Sequence, residues 1–134
     1  MTSWDPSLRT GHSVFDLDHQ QLAMLLDLLE DSLSMLPDSA YPATMSQRLL
    51  LEAREHFRRE EAYLRHDPSP ESAEHMASHD EFIVLLQSLA AAVAKGDAAA
   101  AAGRIAEART MFVDVLLPAD AAMLAVVDGA GAVR

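Results

Sequence analysis

Four histidines and two carboxylates stand along this chain at spacings that suit a metal site inside a helical bundle. His56 and Glu60 are four residues apart, as are His75 and His79. Residues four apart lie on one face of an α-helix, one turn apart, so each pair can reach a single cavity. Imidazole and carboxylate groups are ligands for iron, manganese or zinc. The candidate metal ligands are, in chain order, His19, His56, Glu60, His75, His79 and Asp120.

The candidate ligands on the first three helical segments lie in line with apolar residues. His19 shares its face with leucines such as Leu22 and Leu26, and His79 is followed at helical spacing by Phe82 and Leu86. A lone histidine on such a face is usually a surface residue or a hydrogen-bonded core residue. Burying several imidazoles and carboxylates without partners is costly, however, and a bound metal removes that cost. Their presence on three segments favours a metal site.

The composition limits the classes of protein to which the chain can belong. Its 134 residues suit one domain with a real core. It has no cysteine, which excludes thiolate metal sites and disulfides and suits a cytoplasmic protein. The net charge of −11 argues against binding to nucleic acid or to an anionic membrane surface. No stretch is apolar enough to span a bilayer, no signal peptide is evident, and no protein partner is predicted.

Helix-forming residues dominate and predict an all-α fold, an antiparallel up-down four-helix bundle with an N-terminal arm. The helices end at Pro and Gly signals such as Leu36-Pro37 and Gly96-Asp97. We expect one domain over residues 1–134, with the bundle spanning 16–127. The predicted segments are an arm 1–15, helices Asp16–Met35, Pro42–Arg65, Pro70–Lys95 and Ala98–Val127, and a loose tail over 128–134, of which Gly129–Arg134 are the last residues.

The chain resembles the hemerythrin family, specifically its single-domain bacterial members. The resemblance rests on Trp4, Gly11, the run Phe15–Leu22, the run His56–Glu61 and the run His75–Phe82. It implies two iron ions in an Fe–O–Fe centre that binds dioxygen reversibly, although manganese or zinc would also suit these ligands. By the same resemblance, His19 and His56 would bind one iron and His75 and His79 the other. Glu60 and Asp120 would bridge the two.

One histidine of the family pattern is absent. The family has a histidine five residues before the aspartate of the last helix, and Val115 stands there in this chain. Asp114 is a possible substitute, because Pro118 would kink the helix nearby. His12 could fold over the site from the arm, although an exposed loop position is the expected one. His66 lies ten residues after His56, about 15 Å along the same helix, which is too far.

Dioxygen binding for carriage, storage or sensing is the function that the sequence favours. We therefore expect a binding protein rather than an enzyme, with dioxygen or a similar small molecule as its partner. Two alternatives remain open. The first is a di-metal enzyme acting on oxygen, peroxide or nitric oxide, since an incomplete ligand set leaves open metal positions. The second is a degenerate scaffold with an incomplete metal site.

Overall fold

The computed structural model describes residues 9–65 and 70–132. Within these ranges the chain is all-α and forms an antiparallel up-down bundle, as the sequence predicts. The fourth helix of the bundle, here called the fourth helical rod, runs over residues 98–132 and contains one turn of π-helix at residues Phe112–Leu116. The remaining elements are α1 (Ser13–Met35), α2 (Tyr41–Leu64), α3 (Pro70–Ala94), α4 (Ala98–Met111) and α5 (Leu117–Ala132).

The helix ends follow local sequence signals. Pro37 follows the end of α1, and Pro42 occupies the first turn of α2, where its missing N–H costs nothing. Between α3 and α4, Gly96 takes a left-handed conformation with φ of 72°. The Asp97 carboxylate then caps α4 by accepting a hydrogen bond of 3.1 Å from the Ala100 amide. The short connection that results makes α3 and α4 antiparallel neighbours.

A large apolar cluster fills most of the bundle and borders the polar site at one end, and a smaller separate cluster consists of Phe15, Leu64, Met123 and Leu124. Leu26 of α1, Ala53 of α2, Leu86 of α3 and Ile105 of α4 are among the fully or almost fully buried members of the large cluster. Arg109 ties the outer surface of α4 to α1, with its Nη1 2.6 Å from the Asp27 carboxylate. Because the core fixes the helices over several turns, the polar side chains at its end are held on a rigid frame.

Two helix boundaries differ from the sequence prediction by more than one residue. The first helix begins at Ser13 rather than Asp16, so the predicted arm is shorter by its last residues. The last helix continues to Ala132 instead of ending at Val127, and this places most of the predicted loose tail in helix. The ends of α2 and α3 agree with the prediction to within one residue. Trp4 and His66 lie outside the described residues.

In the described ranges, no helix combines the length and the apolar character that crossing a bilayer requires.

Candidate metal centre

Six polar side chains from the four helical rods converge at one end of the core. Their positions follow from the helical stripes, since each rod turns its buried face toward the bundle axis. All six side chains are 0–5% exposed, which is exceptional for charged and imidazole groups. They are His19 of α1, His56 and Glu60 of α2, His75 and His79 of α3, and Asp120 of α5.

The first group of donor atoms, here called subsite 1, combines His19 and His56 with one oxygen of each carboxylate. The Nε2 atoms of His19 and His56 lie 3.1 Å apart. Asp120 Oδ2 lies 2.8 Å from His19 Nε2, and Glu60 Oε2 lies 3.1 Å from His56 Nε2. The four donors therefore surround one point.

The second group, subsite 2, combines His75 and His79 with the other oxygen of each carboxylate. Glu60 Oε1 lies 2.7 Å from His75 Nε2 and 3.2 Å from His79 Nε2. Asp120 Oδ1 lies 2.6 Å from His75 Nε2 and 3.9 Å from His79 Nε2. Glu60 and Asp120 thus each direct one oxygen to the first histidine pair and the other oxygen to the second pair. This is the arrangement of two bridging carboxylates.

The spacing of the donor atoms suits metal coordination. In each subsite the four donors lie within 4.8 Å of one another. Two ligand atoms about 2.1 Å from a shared metal and at right angles to each other would be about 3.0 Å apart, close to the observed separation of the two Nε2 atoms of subsite 1. Glu60 Oε2 and Asp120 Oδ1 are fully buried and lie 3.1 and 2.6 Å from imidazole nitrogen atoms of His56 and His75. Oxygen and imidazole atoms so placed could hold a pair of divalent cations.

The comparison with known families agrees with this chemistry. The family model described as the hemerythrin HHE cation binding domain matches residues 10–118. The chain belongs to the hemerythrin family. No curated protein and no solved structure matches it significantly. The matched stretch includes the four histidines and Glu60 but ends before Asp120, which the three-dimensional structure places in the same cluster.

Val115 does not face the hemerythrin-like centre. Its side chain is 48% exposed, whereas Leu116 and Leu117 are each 1% exposed. Leu116 precedes Asp120 by four positions, which is about 40° around an ideal helix, while Val115 is about 140° away. The structure therefore places leucines, rather than Val115, beside the buried face that carries Asp120. No histidine follows His79 in the sequence, so the last helix supplies no imidazole.

Neither proposed substitute for the absent histidine reaches the centre. Asp114 is exposed, although it lies in the π-turn. His12 is partly buried, and its ring packs against Phe15 and Tyr63 at centroid distances of 5.5 and 5.1 Å. Tyr63 is 37% exposed and belongs to this peripheral contact. Within the described residues, each subsite thus has two imidazoles and two carboxylate oxygens.

Contacts with the carboxylates raise the pKa values of His56, His75 and His79 where no cation is bound. Burial lowers the pKa of the His56 imidazole, but hydrogen bonds with Asp120, Asp18 and Glu60 outweigh it and raise that pKa to about 11. Burial likewise opposes the same kind of contacts at His75 and His79, whose pKa values rise to about 9 and about 10. Despite burial, hydrogen bonds from the histidines lower the pKa of Glu60 and of Asp120.

Two further carboxylates bind the outer nitrogen atoms of the histidines. Asp18 Oδ2 accepts a hydrogen bond of 3.1 Å from His56 Nδ1, and Glu61 Oε2 accepts one of 2.9 Å from His79 Nδ1. Arg59 donates to both oxygens of Asp18, at 3.1 and 2.8 Å. The sequence prediction missed these roles. The available signal was position, since Asp18 precedes the candidate ligand His19 and Glu61 follows the candidate ligand Glu60.

Asp16 and the aromatic residues have structural roles around the centre. Asp16 accepts hydrogen bonds from the Thr10 amide and hydroxyl at 2.7 and 2.8 Å, and so anchors the arm to the first turn of α1. The Phe57 ring stacks on His79, with centroids 4.1 Å apart. Phe112 lies near His19 and stacks with Phe82, which makes the core side of the cavity apolar.

Proposed function

We propose that this hemerythrin-family chain holds two iron ions in subsites 1 and 2 and binds dioxygen there for carriage, storage or sensing. The observation that carries the proposal is the orientation of Glu60 and Asp120. Each carboxylate directs one oxygen to the histidines of subsite 1 and the other oxygen to the histidines of subsite 2. Two cations side by side need such shared carboxylates, because unshared positive charges in a buried cavity repel each other strongly.

The residues of the chain determine what the centre can do. Glu60 and Asp120 set the separation of the cations and offset part of their charge. The four imidazoles supply the remaining protein donors and leave room at each cation for an outside ligand. Phe57, Phe112 and the adjacent leucines exclude water from the core side. Iron bound there would supply a redox-active centre for a diatomic molecule.

Metal analysis combined with optical spectroscopy tests this proposal. We expect about two iron ions per chain after reconstitution with ferrous iron under anaerobic conditions. Admission of air should produce near-ultraviolet and visible absorption bands, and removal of oxygen should abolish them. Irreversible oxidation on the first exposure to air would contradict reversible dioxygen binding. Binding of fewer than two metal ions would favour the degenerate scaffold.

A di-metal enzyme is the second candidate, and the count of protein donors favours it. Each subsite has four donors from the described residues, fewer than the six that octahedral coordination provides. Open metal positions are typical of catalytic sites. Turnover of peroxide or nitric oxide by the iron-loaded protein would support this function, and its absence together with reversible oxygen binding would exclude it.

A further inference from the structure

The two carboxylates outside the donor set contact the histidines in a systematic way. His56 of subsite 1 donates from Nδ1 to Asp18, and His79 of subsite 2 donates from Nδ1 to Glu61. Each carboxylate lies on the helix that precedes the histidine's own helix, so the contacts cross from α1 to α2 and from α2 to α3. Each subsite therefore has one imidazole whose Nδ1 atom, on the side away from the subsite, is hydrogen-bonded to a carboxylate on a neighbouring helix.

The hydrogen bond at Nδ1 determines what Nε2 can do. An ionised carboxylate only accepts, so the Nδ1 atom of the imidazole must carry the proton. In the neutral imidazole, the form that binds a cation, the Nε2 atom then keeps a free lone pair, which points at the subsite. The same hydrogen bond fixes the plane of the ring. Such partners of metal-bound histidines typically raise metal affinity about 10–100-fold.

The two carboxylates differ in their environments. The Asp18 side chain is 11% exposed, and the Arg59 guanidinium binds both of its oxygens. The Glu61 side chain is 39% exposed and accepts its hydrogen bond from His79. Arg59 therefore clamps Asp18 in one orientation, which preorganises the hydrogen bond to His56. Glu61 is instead oriented through His79, whose ring is itself held by stacking on Phe57.

We infer that Asp18, clamped by Arg59, is the positioning residue of subsite 1, and that Glu61 is the positioning residue of subsite 2. This inference rests on the proposed function as a two-metal protein. It assigns separate roles to two acidic side chains that are not themselves among the candidate ligands. Loss of either should weaken one subsite and leave the other close to its original affinity.

Titration with Co²⁺ measures this directly. Protein freed of metal with a chelator is titrated with Co²⁺ in the presence of a competing chromophoric chelator, which resolves two binding constants. We expect Asp18→Asn to lower one constant, and Glu61→Gln the other, each about 10–100-fold. Asp80→Asn is the matched control. Asp80 is an exposed acid that directly follows the candidate ligand His79, and its removal changes the charge equally.

A double-mutant cycle separates positioning from a general loss of structure. If Asp18 acts through His56, then Asp18→Asn should have no further effect in a His56→Ala background. The same relation should hold between Glu61→Gln and His79→Ala. An equal loss of affinity in both backgrounds would overturn the assignment. The ligand-field spectrum of bound Co²⁺ provides a second readout, because a rotated imidazole changes the visible bands even when the protein remains folded.

Nuclear magnetic resonance of the wild-type protein covers the case in which a variant fails to fold. In protein loaded with Zn²⁺, the Nδ1–H protons of His56 and His79 should resonate far downfield and exchange slowly with solvent. Absence of both signals would overturn the inference. If the wild-type protein binds two Co²⁺ ions but Asp18→Asn and Glu61→Gln match Asp80→Asn, only the positioning roles fail. If the wild-type protein binds no Co²⁺, the proposed function fails as well.

Discussion

Glu60 and Asp120 are the residues on which a two-metal centre depends most. Each is at most 1% exposed, and each contacts histidines of both subsites. A terminal histidine serves one cation, whereas a bridging carboxylate serves two and also lowers their mutual repulsion. Substitution at either bridge should therefore affect the whole centre rather than half of it.

Asp120→Ala should reduce the affinity for both metal ions. The change removes both carboxylate oxygens and about one unit of compensating negative charge from a buried site. Metal content after a fixed exposure to chelator measures the effect, and we expect it to fall toward zero. Asp114→Ala removes an exposed aspartate from the same helical rod and should retain the wild-type metal content. Equal retention by the two variants would refute the bridging role of Asp120.

Introduction of histidine at two adjacent positions tests where the last helix faces the centre. Val115 is 48% exposed, so Val115→His should alter stability by no more than about 0.5 kcal/mol and leave the metal spectrum unchanged. Leu116→His places an imidazole on the buried face of the turn before Asp120 and should alter the spectrum of bound Co²⁺. A spectral change in Val115→His alone would show that residue 115 can reach the metal.

At the level of elements, the π-turn at Phe112–Leu116 determines how the last helix presents Asp120. The Leu117 N–H donates to the Phe112 carbonyl across this wider turn. Pro118 follows directly and has no N–H with which to bind the Asp114 carbonyl, so the regular α-helical pattern is already interrupted here. A π-turn accommodates one more residue than an α-turn, while the flanking α-helices keep their faces.

Single-residue deletions test this account of the turn. Deletion of Asp114 should convert the π-turn into a regular α-turn and leave Asp120 facing the histidines. Deletion of Gly103, an exposed residue in regular α-helix, should instead rotate the following residues by about 100° relative to the preceding ones. We expect the metal content to be retained in the first variant and lost in the second, with circular dichroism confirming that both are helical. Loss of metal in the Asp114 deletion would contradict the account.

For the whole molecule, metal binding and folding should be coupled. The bundle brings six polar side chains into its interior, and a cation that binds only the folded state stabilises it. At a free metal concentration 1,000 times Kd, each site contributes about 4 kcal/mol. Removal of metal with a chelator should therefore lower Tm by roughly 10 °C or more for a chain of this size. Unchanged thermal unfolding would argue against metal sites in the core.

The stability of the metal-free protein should fall at alkaline pH. The pKa values of His56, His75 and His79 are raised from 6.5 to about 11, about 9 and about 10. Their stabilising contribution is therefore complete below pH 6.5 and is lost as the pH rises through 9 to 11. In the metal-loaded protein these imidazoles bind the metal in their neutral form, so the metal-loaded protein should not show this loss of stability. Thermal unfolding of both forms between pH 6 and 11 measures the difference, and parallel curves would contradict it.

The sequence by itself determined the fold class, the family and the residues that share the buried face of each helix. Helical spacing in regular α-helix is a local property, so His56 with Glu60 and His75 with His79 could be paired without knowledge of the fold. Residues at helix ends were less predictable, because the chain can continue a helix past a weak signal, as it does beyond Val127.

Only the tertiary structure decided how the buried faces of the helices meet and which residues hydrogen-bond to the outer nitrogen atoms of the histidines. The family pattern pointed to Val115, and only the structure showed that this residue lies in a π-turn with an exposed side chain. Asp18 and Glu61 each lie one position from a candidate ligand, about 100° around the helix, where a surface position is the usual expectation. Their hydrogen bonds reach a neighbouring helix, and contacts between helices depend on the packing of the whole bundle. Local spacing and the family resemblance therefore predicted the candidate ligands and their division into two pairs, whereas helix packing determined the contacts within each subsite and the hydrogen bonds from Asp18 and Glu61.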